Sequence, residues 1–263
     1  MPGDEAAASV QRARSASGDD LDLLIHEADA EILLALLENP NMQEPHVSRL
    51  LERLDLPIEL LTAVAKEAQW TSSENIRLRL ARHPHTPRRI AMSMLRQLFL
   101  FDLVRLSLLP SAPADIRRAA EESILTRVPH LPIGEKLTLA RRGPPRAAAA
   151  VLAEGHPQAL KLALGNALLT ESQILKILAK PEVPARVVTA ISQHAKWSVQ
   201  YNVRVALVRH PHTPVPALLE FLPDITLRDL QDALTQESLT PHFRKYIQQE
   251  LARRADNAKQ SIL

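Results

Sequence analysis

Apolar residues recur at helical spacing through most of the chain. After Leu56-Pro57, the residues Leu60, Leu61, Val64, Ala65 and Ala68 fall on one stripe. After Thr86-Pro87, the residues Ile90, Ala91, Met94, Leu95 and Leu98 do the same at the same offsets. Both segments are predicted as amphipathic helices opened by proline at the first helical position, with Thr86 as N-cap, and Thr213 likewise in the later segment after Pro214. Further x-Pro steps stand at Ala112-Pro113, Val183-Pro184 and Thr240-Pro241, 26 to 30 residues from their neighbours within each half, a spacing that fits two short helices plus turns. Ile76-Arg77-Leu78-Arg79-Leu80 alternates like a strand, but it is short, and Val203–Leu207 further along loses the polar alternation at Ala206; it is read as helix. Residues 1–20 are small, polar and aperiodic, and are expected to form a disordered tail.

Shifting the sequence by 127 places Leu56–Pro87 on Val183–Pro214 without a gap, with 14 of 32 positions identical. Leu37, Asn39 and Glu44 then meet Leu164, Asn166 and Glu171, and Asp102-Leu103 meets Asp229-Leu230. The expectation is an all-α chain of two tandem copies of one helical module, over 21–142 and 143–255, joined at Gly143-Pro144-Pro145, with a frayed C-terminus over 256–263. Composition agrees: the chain is 46% hydrophobic but 3% aromatic, and has 20 Pro against 6 Gly, so proline rather than glycine punctuates the helices.

A family resemblance lies in the two segments Leu80-Ala81-Arg82-His83-Pro84-His85-Thr86-Pro87 and Leu207-Val208-Arg209-His210-Pro211-His212-Thr213-Pro214. Each follows one helix and precedes another, and resembles the Asn-Pro-x-Thr-Pro corner of leucine-rich-repeat-variant and HEAT-like helical repeats; Asn39-Pro40-Asn41 resembles a degenerate form. The resemblance covers most of residues 30–250 and implies a curved α-solenoid (an α-α superhelix) used as a binding surface. The chain departs from the pattern in carrying His where Asn is usual and in lacking the cysteine-rich cluster of some variant-repeat proteins.

The absence of cysteine excludes disulfides, thiolate nucleophiles and Cys-ligated metals. The longest apolar stretch, Leu98–Leu109, is broken by Asp102 and Arg105 and falls short of a bilayer span, so the expected location is cytoplasmic, with no membrane partner. Net charge is only +2, yet residues 1–75 hold 15 acids against 5 bases. Such asymmetry points either to an anionic partner or to an acidic segment covering the basic remainder.

Candidate chemistry is sparse. His83-Pro84-His85 and His210-Pro211-His212 are read as turn residues that bond helix carbonyls rather than as metal ligands. Trp70 and Trp197, at equivalent positions, are read as packing wedges, and Asn75 and Asn202 as side-chain-to-backbone bonds at helix starts. Arg77, Arg79, Arg82, Arg88, Arg89 and Arg96, with Arg117 and Arg118, form the candidate binding set on one face of the first copy, against a merely solvated face. Nucleophile elbows, Walker loops, dinucleotide fingerprints and zinc-protease motifs do not occur. The expectation is a non-catalytic scaffold, without cofactor or metal, whose concave face binds a protein partner. The alternative is binding of nucleic-acid phosphates through the arginine face, a helical-repeat DNA glycosylase included.

Overall fold

The computed structural model describes residues 2–236 and 239–260, and these contain helices, turns and bends but no strand. The chain divides into two compact units, Met1–Thr126 and Arg127–Leu263.

The first unit carries α1 (Pro2–Ser15), α2 (Asp19–Leu24), α3 (Ala30–Leu37), α4 (Glu44–Leu50), α5 (Ile58–Lys66), α6 (Ala68–Thr71), α7 (Glu74–Arg82), α8 (Arg88–Gln97), α9 (Leu100–Leu108) and α10 (Ala114–Arg127). Helices α1, α3 and α5 pack side by side as one row, α4, α7 and α9 as a second, and α7 also packs on α5 and α8. Leu33, Leu36, Leu60, Leu61, Val64, Ile76 and Leu80 fill the space between the rows and are fully buried. The alternating stretch lies inside α7, where Ile76 and Leu80, four residues apart, share the buried face.

The second unit carries α11 (Ile133–Arg142), α12 (Pro145–Glu154), α13 (Pro157–Leu164), α14 (Glu171–Leu178), α15 (Ala185–Ser192), α16 (Tyr201–Arg209), α17 (Val215–Phe221), α18 (Leu227–Leu234) and α19 (Pro241–Gln260). Its rows are α11, α13 and α15, and α12, α14, α16 and α18. Helix α12 ends on Gly155 at φ 72, a left-handed cap suited to glycine. A Cβ there would also meet Val187 Cγ2 at 3.0 Å.

Helix bounds recur at the 127-residue offset: α3 with α13 and α7 with α16 correspond residue for residue at both ends, and α4 with α14, α5 with α15 and α8 with α17 start together. Several sequence expectations need correction. Residues 2–15 form α1, which packs on α3 and buries Ala13, with Ala16 buried just beyond its end, so most of the stretch read as a tail is helical. Its buried residues are alanines, too small to register as an apolar stripe. The division falls at Thr126/Arg127 and not at Gly143, because α11 packs on α12 and α13. At the other end α19 continues to Gln260, so only 261–263 of the segment read as frayed lie outside the described residues. The prolines also sit one position earlier than expected: Pro57, Pro87, Pro184 and Pro214 are themselves N-caps, and Thr86 and Thr213 precede them. A proline there still removes no intrahelical donor.

Trp70 and Trp197 are both buried, but their indole nitrogens differ. Trp197 Nε1 donates to the Leu164 carbonyl at 3.0 Å, whereas Trp70 Nε1 is buried with no partner. Truncation to alanine at either site is expected to cost about 3–5 kcal/mol in chemical denaturation. Phenylalanine separates them: Trp197→Phe abandons a carbonyl and is expected to cost about 1–2 kcal/mol more than Trp70→Phe, which removes a donor already unsatisfied. Equal costs for the two would contradict this difference.

Candidate functional site

The two histidine corners are built alike. His83 Nε2 lies 2.7 Å from the Arg53 carbonyl in the turn after α4, while its Nδ1 accepts the His85 N–H at 3.2 Å. His85 Nδ1 lies 3.1 Å from the Leu56 carbonyl. In the second unit His210 Nε2 lies 3.2 Å from the Lys180 carbonyl, His210 Nδ1 accepts the His212 N–H at 3.2 Å, and His212 Nδ1 lies 3.0 Å from the Val183 carbonyl. With Nδ1 accepting, His83 and His210 each carry their proton on Nε2 and are neutral.

Asparagine makes the same pair of bonds elsewhere. Asn39 Nδ2 donates to the carbonyls of Ala13 and Ala16 at 2.7 and 2.9 Å, and Asn39 Oδ1 accepts the Asn41 N–H at 2.8 Å. Asn166 donates to Ala140 and Gly143 and accepts from the Leu168 N–H. In all four corners, one side-chain donor satisfies a carbonyl of an earlier turn and one acceptor holds the N–H two residues on. His83 and His210 can thus stand in for the asparagine of the Asn39 and Asn166 corners, because imidazole offers both functions if it stays neutral. The histidines are thus engaged with backbone, and among the described residues no group of three or more His, Asp or Glu is placed to hold a metal ion.

The eight arginines do not converge on one free face. Arg77 turns to the backbone, donating to the carbonyls of Thr71 and Ser72 and pairing with Glu74 at 2.6 Å. Its counterpart Arg204 repeats the first contact on Ser198, so this arginine is architectural in both units. Arg79 reaches the turn after α4, pairing with Glu52 at 2.9 Å and donating to Asn75 Oδ1. Arg82 is half-buried, and its pKa is lowered by burial and then by Arg79. Arg88 reaches Asp115 at the start of α10, 3.3 Å away. Arg89, Arg96 and Arg118 are exposed, and Arg117 is half-buried with its Nε unpartnered. The sequence places these cations close along the chain, but it does not reveal that Glu52, Glu74 and Asp115 are brought against three of them.

Asn75 and Asn202 bond side chains of the neighbouring helix in their row, α4 and α14, rather than backbone: Asn75 Nδ2 donates to Ser48 Oγ at 2.7 Å and Asn202 Nδ2 to Glu171 Oε1 at 2.9 Å.

Two larger surface features escaped the sequence reading. Helix α9 buries Leu100, Leu103 and Leu106 and leaves Phe101 and Leu108 outside at 43% and 39% exposure, with Phe99 at 68% just before it. Position by position, the corresponding residues of the second unit are Arg228, Thr235 and Thr226. The second feature is a groove of about 820 Å³ between α3 and α5, floored by Leu34, Leu37, Ile58 and Ala63. No described helix is long and apolar enough to cross a membrane. Comparison with family models, curated proteins and solved structures finds no match to the chain.

Burial lowers the pKa of His83 and His210 below the ordinary 6.5, with hydrogen bonds to Arg53 and Lys180 opposing it; for His83, Asp55 also opposes while His85 and Arg82 reinforce, and for His210, His212 reinforces. The folded state therefore binds fewer protons than the unfolded one in this window, and stability rises with pH. The contribution is complete above the unfolded imidazole value and is lost as pH falls below it toward the folded pKa. Thermal melting is expected at lower temperature at about pH 5.5 than at about pH 7.5. His83→Asn/His210→Asn, which copies the Asn39 and Asn166 corners, should shrink that difference while leaving the neutral-pH Tm nearly unchanged. An undiminished pH dependence in the double variant would refute the assignment.

Proposed function

We propose that the chain is a helical-repeat scaffold, an α-solenoid formed by duplication of one module, that binds a protein partner and carries out no chemistry of its own. The common helix bounds, the Asn39/Asn166 and His83/His210 corners and the Arg77/Arg204 contacts support the duplication. Paired rows of short helices suit a repeat stack that presents an extended surface.

The observation that carries the binding reading is the outer side of α9. The chain has four phenylalanines; Phe221 and Phe243 are buried, and the other two are Phe99 and Phe101. Keeping large apolar side chains in water where a corresponding helix bears Arg and Thr is costly for solubility and is the mark of a surface that is covered in use. The nucleic-acid alternative is weakened because Arg77, Arg79 and Arg88 already face carboxylates of their own unit. They would have to exchange those partners for phosphates.

A photo-crosslinking amino acid placed at Phe101 in cells that naturally make the protein is expected to give a discrete adduct that protease removes and nuclease does not. Phe99→Thr/Leu108→Thr in the same chain should abolish it. Purified protein should show no submicromolar binding to duplex DNA or RNA at about 150 mM salt. A nuclease-sensitive adduct, or tight duplex binding lost in Arg88→Glu/Arg89→Glu, would replace the scaffold reading with the nucleic-acid one.

A further inference from the structure

The residues lining the groove between α3 and α5 differ from those at the corresponding positions of the second unit in two ways at once. Its floor is apolar, with Leu34 and Leu37 half-buried and Ile58 at 54% exposure, while Lys161 and Ala185 stand where Leu34 and Ile58 would be. Its rim is acidic. Glu59 and Glu67 are exposed and make no ion pair among the described residues, and Glu38 pairs only at the surface with Arg14; the single cation on the rim is Lys66. The positions of Glu59 and Glu67 are held in the second unit by Arg186 and His194, and that of Gln69 by Lys196. A solvated face under no demand would not be expected to change both its polarity and its charge sign between otherwise matching helices.

A third observation concerns the same wall. The Leu164 carbonyl accepts the Trp197 indole N–H, but the corresponding bond from Trp70 to Leu37 is not made, and Trp70 Nε1 is left buried and unpaired. The groove wall at Leu37 thus lacks a tie that the corresponding residue Leu164 has.

We propose that the α3–α5 groove of the first unit docks a basic amphipathic helix of a partner protein. This deepens, and rests on, the reading of the chain as a protein-binding scaffold. The guest's apolar ridge, with residues at i, i+3, i+4 and i+7, lies on Leu34, Leu37 and Ile58, and its Lys or Arg residues lie over Glu59 and Glu67. A volume of about 820 Å³ accommodates several apolar side chains. The carboxylates give orientation, on-rate and discrimination against acidic helices, while the apolar floor supplies most of the affinity.

The test uses the full chain and a fluorescent helical peptide of about 18 residues with leucines along one face and lysines elsewhere. Two controls are a peptide of the same composition with the leucines dispersed and one with glutamate for lysine. Anisotropy at about 150 mM salt should show binding of the amphipathic lysine peptide alone. Glu59→Arg/Glu67→His and, separately, Leu34→Lys/Ile58→Ala should each weaken it by at least about tenfold. These variants install residues already present at the corresponding positions of the second unit, so circular dichroism melts should stay near those of the unchanged chain. Phe99→Thr/Leu108→Thr, on α9, should have no effect. Equal binding of the dispersed peptide, indifference to the groove variants, or no binding at all would overturn the groove assignment and leave the scaffold reading standing if the Phe101 adduct is still protein. Self-association of the chain that the groove variants abolish would make the occupant a second copy, and would also overturn it.

Discussion

Short helices joined by turns leave many backbone carbonyls without intrahelical partners, and this chain answers that demand mainly with side chains reaching back from later turns. A helix of eight residues has four orphan carbonyls at its C-terminus, half of all it carries. Asn39 collects two of them from the end of α1 and the residue beyond it, Arg53 takes those of Ile25 and Glu27, and His83 takes that of Arg53 itself. The turns after α2, α4 and α7 are thereby chained in series. Row packing buries the leucines, but these bonds fix which turn lies beside which. Arg254 performs the same service for Leu222, Pro223 and Ile225 in the second unit.

That constraint explains what could be read from sequence and what could not. The helices with apolar stripes after Pro57 and Pro87, α5 and α8, are visible from periodicity, and the 127-residue self-match exposes the corners because a side chain that must donate and accept at once is restricted to few types. Helix α1 is not visible, because it is held by the carbonyls of Ala13 and Ala16 more than by apolar burial, and the residue that holds it, Asn39, lies over twenty positions away. Continuing the self-match upstream would have set Ala13-Arg14 on Ala140-Arg141, a signal too short to stand alone. The arginine set fails for a related reason. Charge counting along a segment does not know that α4 lies against α7 and that the turn after α4 supplies Glu52 to Arg79, nor that Arg77 turns inward to the backbone before α7.

Having two units in one chain supplies an internal control that neither a single domain nor a single sequence offers. Positions that keep their residue across the 127 offset, such as Trp70/Trp197 and His83/His210, are those with a bonding or packing role visible in both units. Positions that change between buried faces mostly stay apolar while differing in volume, as at Leu36/Ala163 and Ala91/Leu218. The informative class is the third, exposed positions that differ in kind. There the fold exerts little selection, so a concentrated and directional difference calls for another cause. Two such concentrations occur in the first unit, the Phe99–Phe101–Leu108 side of α9 and the Leu34–Ile58–Glu59–Glu67 groove.

These surfaces differ in how they would be used. The α9 side is apolar and uncharged at Phe99, Phe101 and Leu108, so it would contribute area with little control over orientation. The α3–α5 groove is concave and bears three carboxylates against one lysine along its rim, which would bias the direction and chemistry of what enters. They belong to different rows, α9 with α4 and α7, and α3 and α5 with α1. A partner that used only one of them would leave the other exposed, at the same cost in solubility that makes each conspicuous. Their coexistence in one unit therefore favours either a partner long enough to engage both rows or two partners held at once. On the scaffold proposal, the first unit would hold partner segments in a fixed relation, with the carbonyl-capping side chains of Asn39, Arg53 and His83 keeping its own turns in register.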